Sequence, residues 1–188
     1  VEDQKPHQRN PESSIKSEPK RLAFPFMYNK IMRNVTLCLL VKSKEVLLAM
    51  KKRGFGEGKW NGVGGKVQEG ETIEDAAIRE LEEEIGVVAK TTDLEKVGVM
   101  DFHFNEHPDW SQQMHIFLVH KWTGTPAESE EMAPKWYSHD DIPYDDMWVS
   151  DTYWFPHVLV GKKMMGEIHF KGDGGEIDRA EMKEMVSQ

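Results

Sequence analysis

The sequence predicts an α/β protein, an α/β/α sandwich built on a mixed β-sheet. Two observations predict it. Short apolar runs, β-branched or leucine-rich and bounded by turn residues, recur along most of the chain, as strands do. Between them lies residues 72–85, where Ile73, Ala77, Leu81 and Ile85 recur every four positions, as on one face of a helix. Strands alternating with helices bury both faces of a sheet.

The elements follow in order. Residues 1–33 hold Pro6, Pro11, Pro19 and Pro25 among Ser, Gln, Lys and Glu, and are expected to be disordered, because such a composition cannot bury a core. Glu2, Asp3, Glu12 and Glu18 argue against an organellar presequence, which is poor in acids. The folded domain is expected over 34–175, with a C-terminal tail at 176–188. Runs 35–41 and 46–50 read as a hairpin turning at 42–45. Residues 60–67 lead into the helix 72–85, which Thr72 caps, with Asp75 as a capping-box variant and Gly86 as its stop. Longer strands are expected at 96–104 and 114–122, joined by a polar loop around Pro108. A Glu-rich loop at 126–132 precedes a short strand, 134–138. A second helix is expected within 152–163, with Pro156 near its first turn, and a last strand at 167–171.

The chain has 188 residues and a net charge of −9, with 33 acidic residues against 24 basic ones. That disfavours gripping a nucleic acid polymer, which needs basic surface. It leaves a nucleotide open, because a bound divalent cation neutralises a triphosphate. No apolar run approaches a membrane span. The expectation is a monomeric, cytoplasmic protein acting on a small molecule, with organellar or nuclear targeting by residues 1–33 left open. Cys38 is the single cysteine, so no internal disulfide forms; its apolar run predicts a buried, inert thiol. His103 and His107 have ligand-like spacing, but nothing completes a zinc site around them, so no histidine metal site is expected.

The chemistry concentrates in 71–84, where seven acids fall within fourteen residues. On a helix, Glu80, Glu83 and Glu84 share an arc of about 100°. Crowded like charges are relieved by a multivalent cation, and oxygen ligands suit Mg2+ or Mn2+. Glu82 faces the other way, towards Arg79 and Asp75, as a solvated residue. The loop Asn61-Gly62-Val63-Gly64-Gly65 is permissive enough to bring backbone close to a metal or phosphate.

Gly65, Glu71, Arg79, Glu80, Glu83, Glu84 and Gly86 fill every fixed position of the pattern G-x5-E-x7-R-E-U-x-E-E-x-G-U, with Leu81 and Val87 among its apolar positions U. The stretch resembles the box of the Nudix hydrolases. That resemblance implies the Nudix fold and water attack on a nucleoside-diphosphate-linked bond. The flanks 50–56, 59–62 and 64–72, with Gly124-Thr125-Pro126, Glu131-Met132, Asp146-Met147-Trp148, Asp151 and 153–156, resemble the branch acting on oxidised purine nucleoside triphosphates.

By position, the resemblance implies a substrate site of Thr36, Lys51, Asn61, Val63, Gly64, Gly65, Lys66, Phe102, Trp148, Ser150, Asp151 and Trp154. Asn61 and Asp151 would bond the purine edge and Trp148 would stack on its face. Gly64, Glu80, Glu83, Glu84 and Glu131 would serve Mg2+, with Glu83 or Glu84 as general base. Trp60, Trp122 and Trp136 are expected in the core. The chain departs from that branch at three points: Ser150-Asp151 stands for adjacent acids, Val149 for a proline, and the loop 105–113 is one residue longer. Gln112 or Trp110 is left to take the place of a pocket methionine. The alternatives are alkylated purine triphosphates such as O6-methyl-dGTP, another nucleoside diphosphate derivative, or a non-catalytic binding module. Intact box acids argue against the last.

Overall fold

The computed structural model describes residues 32–185, so the expectation for most of 1–33 lies outside the described residues. The first strands explain the frame of the site. β1 (Arg33–Lys42) and β2 (Glu45–Lys51) pair antiparallel only at Leu40–Leu47, Val41–Val46 and Lys42–Glu45. Beyond that they part. The short β3 (Trp60–Asn61) takes up the rest of that edge of β2. The glycine-rich loop after it runs antiparallel to β1, with Cys38 N–H donating to Val63 O at 2.7 Å and Thr36 N–H to Gly65 O at 2.8 Å. This wedge brings backbone under the helix that follows.

α1 (Ile73–Ile85) starts and stops as its sequence dictates. Thr72 Oγ1 accepts from Asp75 N–H at 3.1 Å, and its hydroxyl donates to Asp75 Oδ2 at 2.7 Å. Gly86 adopts φ 73°, a left-handed conformation that suits glycine, and donates to Glu82 O. Ala77, Leu81 and Ile85 are buried against Cys38, Leu40, Leu47, Ala49, Phe117 and Val119.

β4 (Leu94–Phe104) and β5 (Gln112–Val119) form an antiparallel pair, joined through a tight turn at Pro108–Trp110. β5 lies parallel to β1, and β6 (Met132–Ser138) pairs antiparallel along the whole free edge of β2. β7 (Met164–Lys171) lies parallel to β4, and β8 (Glu176–Glu184) closes a hairpin on β7. The sheet is therefore mixed, in the order β3-β2-β1-β5-β4-β7-β8 with β6 on β2. Its second face packs on α2 (Asp151–Leu159) through Trp154, Phe155 and Val158. One helix covers each face, and alternate β1 residues enter the two cores, which is why Leu37–Leu40 of that strand is an unbroken apolar run.

Two expectations are corrected. The segment expected as a tail from 176 is a strand as far as Glu184. Its alternation breaks where Phe170 pairs with Ile177 but His169 with Arg179, leaving Asp178 as an extra residue. Pro156 sits at the sixth position of α2 and not in its first turn, where it removes one helical donor. Trp60, Trp122 and Trp136 are half-buried and pack on the cores from their margins.

Candidate active site

The box glutamates are held by one arginine. Arg79 Nε and Nη2 grip both oxygens of Glu71, at 2.8 and 3.0 Å. Nη1 donates to Glu80 at 2.8 Å and Glu83 at 3.0 Å, and Nη2 also donates to Lys66 O at 3.0 Å. The bond to Glu71 leads in holding the guanidinium pKa above its ordinary value, and Arg79 holds the Glu71 carboxyl below its own. Glu82 is exposed, as expected of a solvated residue, and Arg79 turns to the other acids. Long helical side chains lean towards the N-terminus, so Arg79 reaches back to Glu71 while Glu82 stays exposed.

Glu84 is different. It is 6% exposed, accepts from Gly64 N–H at 3.1 Å, and meets Lys51 Nζ at 3.1 Å. Burial raises its pKa, with Lys51 opposing. Glycine is required at 64, where a Cβ would stand 2.1 Å from the backbone Thr36 O, whereas a Cβ on Gly65 would meet the Glu80 carboxylate and displace it. Lys51 ends β2, and the pairing of β2 with β6 brings Glu131 beside it, at 3.1 Å from Nζ. Burial opposes the charge on Lys51, but Glu84 and Glu131 outweigh it and hold its pKa above the ordinary value. Arg53 binds the other Glu131 oxygen at 2.8 Å. Arg53, Glu80, Glu83, Glu84, Ser129, Glu130 and Glu131 line a cavity of about 350 Å³. The free donors here are carboxylate oxygens, a set that fits a hard divalent cation. Arg53 and Arg79 had no assigned role in the sequence reading. The spacing of Arg79 and Glu83, four apart on a helix, was the available signal for the second.

The remaining candidates gather at the start of α2. Asp151, 2% exposed, accepts from Trp148 N–H and Trp154 Nε1, both at 3.2 Å, and from Ser150 Oγ at 3.4 Å. Burial pushes its pKa up to about 7, against those three bonds and Lys59. Trp154 has no exposed surface, so it stands behind Asp151 as its support and lines no opening. Phe102 is buried beside Phe170. Thr36 is buried, with Gly65 N–H donating to its Oγ1 at 3.4 Å. Asn61 Oδ1 accepts from Gly62 N–H at 2.9 Å. The Val63 side chain is in the core, so it offers the site only backbone, and Lys66 is exposed.

Trp148 is already stacked. Phe55, 51% exposed on the loop after β2, lies 5.1 Å from it at 24°, and meets Phe104 and Trp110 edge-on at 6.1 and 5.5 Å. Trp110, one of the two residues left for the missing methionine, thus joins this aromatic group, while Gln112 pairs with Phe102 in the sheet. Phe55 had no assigned role, and only the glycines flanking it hinted at one. His107 stacks on Trp110 at 4.1 Å and away from His103. Cys38 is fully buried, and burial first, then Glu80 and Glu84, raises its thiol pKa, as expected of an inert thiol.

The NUDIX domain pattern matches residues 30–158. The chain is 54% identical to the oxidized purine nucleoside triphosphate hydrolase of Mus musculus over 139 residues, 74% of this chain and 86% of that one. It is 50% identical to the enzyme of the same name from Danio rerio over 138 residues, 73% and 86% of the two chains. Among solved structures, a MutT protein from Bacillus halodurans matches with a TM-score of 0.69 at 28% identity, covering 80% of this chain and 97% of that one.

Proposed function

The chain belongs to the Nudix hydrolase family, and on that premise we propose that it hydrolyses oxidised purine nucleoside and deoxynucleoside triphosphates to the monophosphate and pyrophosphate. 8-oxo-dGTP and 2-hydroxy-dATP are the substrates in mind, and the purpose is to clear damaged nucleotides before a polymerase uses them. The observation that carries the reading is the convergence of Glu80, Glu83, Glu84 and Glu131 on one cavity. The similarity to two hydrolases named for oxidised purines supports the substrate class.

Nudix hydrolases use a divalent metal. We assign Mg2+, with Mn2+ as a substitute, to Glu80, Glu83, Glu84 and Glu131 with the Gly64 backbone; bound there, it supplies charge stabilisation at the phosphates and a more acidic water. The chain's own residues do the rest. Arg79 fixes Glu80 and Glu83 against each other's charge. Lys51 exchanges a carboxylate for a phosphate oxygen. Glu83, open to solvent, or Glu84, whose buried carboxyl is readier to hold a proton, accepts the proton of the attacking water. Ionised Asp151 accepts from N1–H and the amine of 8-oxoguanine; protonated, it donates instead. A pKa of about 7 makes both forms available near neutrality. Trp148, with Phe55 beside it, offers a flat stacking surface.

No described helix is long and apolar enough to cross a membrane. The acidic net charge supports action on free nucleotides and not on a polymer; we take the protein to act as a cytoplasmic monomer. The deciding experiment is a panel of 8-oxo-dGTP, 2-hydroxy-dATP, O6-methyl-dGTP and dGTP with Mg2+, read as monophosphate and pyrophosphate released. The expected order has 8-oxo-dGTP first and dGTP far behind. Equal turnover of dGTP, or a preference for O6-methyl-dGTP, would overturn the substrate assignment.

A further inference from the structure

The sheet face that α1 covers over β1, β2 and β5 continues across β4, β7 and β8, where beyond Val99 and Met165 it carries Asp101, His103, Glu167, His169, Arg179 and Glu181. Paired residues on neighbouring strands share a face. His103 of β4 lies directly across from His169 of β7, and their rings stack at 4.4 Å and 13°. Glu167, two residues before His169, is on the same face. Donor atoms of His103, Glu167 and His169 all lie within 4.8 Å of one another. Arg179 of β8 reaches into this group, with Nη2 2.7 Å from Glu167 Oε1 and 2.8 Å from His169 Nε2. A guanidinium nitrogen only donates, so His169 Nε2 accepts and carries a lone pair aimed at a cation.

We propose that His103, Glu167 and His169 form a binding site for a borderline divalent transition metal such as Zn2+, separate from the carboxylate cavity, in which Arg179 stands in for the ion. Two imidazoles and one carboxylate match the donor preference of Zn2+ and its neighbours, whereas Mg2+ prefers an all-oxygen set. The two sites thus select different ions. Tetrahedral Zn2+ with bonds near 2 Å spaces its donors by about 3.3 Å. Binding requires the three side chains to rotate towards one another to close that gap. Asp101, across the strand pair from Glu167, adds negative charge while accepting from Gln113 at 2.9 Å. When displaced, Arg179 keeps Glu181 as a neighbour, 3.9 Å away.

The test is a Zn2+ titration of the full chain with Mg2+ in excess, following the imidazole nitrogen resonances. His103 and His169 should shift at stoichiometric Zn2+, and His120 and His157 should not. His169→Asn and Glu167→Gln should each weaken Zn2+ binding by roughly tenfold or more while leaving Mg2+-dependent nucleotide hydrolysis unchanged. Unmoved His103 and His169 resonances, or parental Zn2+ affinity in both variants, would overturn the site. Arg179→Gln should bind Zn2+ more tightly; affinity at or below the parent's would overturn the role given to Arg179.

Discussion

Asp151 makes the stability of this protein depend on pH, and Asp151→Asn exposes how much. The carboxyl is 2% exposed and holds its proton up to about pH 7, against an ordinary value of 3.8. Between those values the unfolded chain has released a proton that the folded protein still binds. Stability from this group is therefore fully present below pH 3.8, falls as the pH rises through the window, and levels off above about 7. One pH unit is worth about 1.4 kcal/mol. The stretch from about pH 5.5 to 7 thus costs about 2 kcal/mol. Asparagine has the same shape and no titration. Its amide meets Trp148 N–H less well, so the variant starts lower, but the loss with pH should vanish. Urea unfolding of both proteins at about pH 5.5 and about pH 8.5 measures it. The parent should lose about 2 kcal/mol more than the variant across that interval. The difference between them cancels the opposite trends of His103 and His115, whose pKa values burial lowers. Equal losses in the two proteins would mean that Asp151 is ionised throughout and that its three hydrogen bonds outweigh its burial.

Glu80→Gln and Glu84→Gln should each lower Mg2+-dependent turnover at least about a hundredfold with the fold intact by circular dichroism, while Glu82→Gln, exposed and off the cavity, stays near the parent; near-normal turnover in both at saturating Mg2+ would refute the metal assignment. Ser150→Asp would place a second carboxylate beside Asp151, where Ser150 Oγ now stands 3.4 Å from Oδ1. The parent should favour 8-oxo-dGTP over 2-hydroxy-dATP in kcat/KM by roughly tenfold or more, and the variant should narrow that gap; a gap unmoved in steady-state kinetics on both nucleotides removes Ser150 from base selection. Gly64→Ala would drive a Cβ to 2.1 Å from Thr36 O, a backbone atom that cannot rotate away. It should lower the melting temperature by several degrees, on the order of 2 kcal/mol; an unchanged melting curve would show that the wedge between β1 and β2 yields freely.

What could be read along the chain was whatever one element's own geometry settles. Thr72, Asp75 and Gly86 bound α1 through contacts three or four residues apart, and the same periodicity places Glu80, Glu83 and Glu84 together. The core stripe Ala77, Leu81 and Ile85 follows for the same reason. β8 escaped because the extra residue Asp178 breaks its alternation, so Ile177 and Ala180 reach one face from positions three apart. Tertiary structure decided the partners. Lys51 meets Glu131, eighty residues away, only because β6 lies along β2 in that register. Phe55 lies on Trp148 through packing that no local period encodes. His103 meets His169, and not His107 four residues on, because β4 and β7 align in parallel while the turn at Pro108 carries His107 to Trp110. Spacing on a helix is set by rise and rotation per residue, but a cross-strand contact depends on sheet order and register, and those are settled only when both faces of the sheet are buried at once.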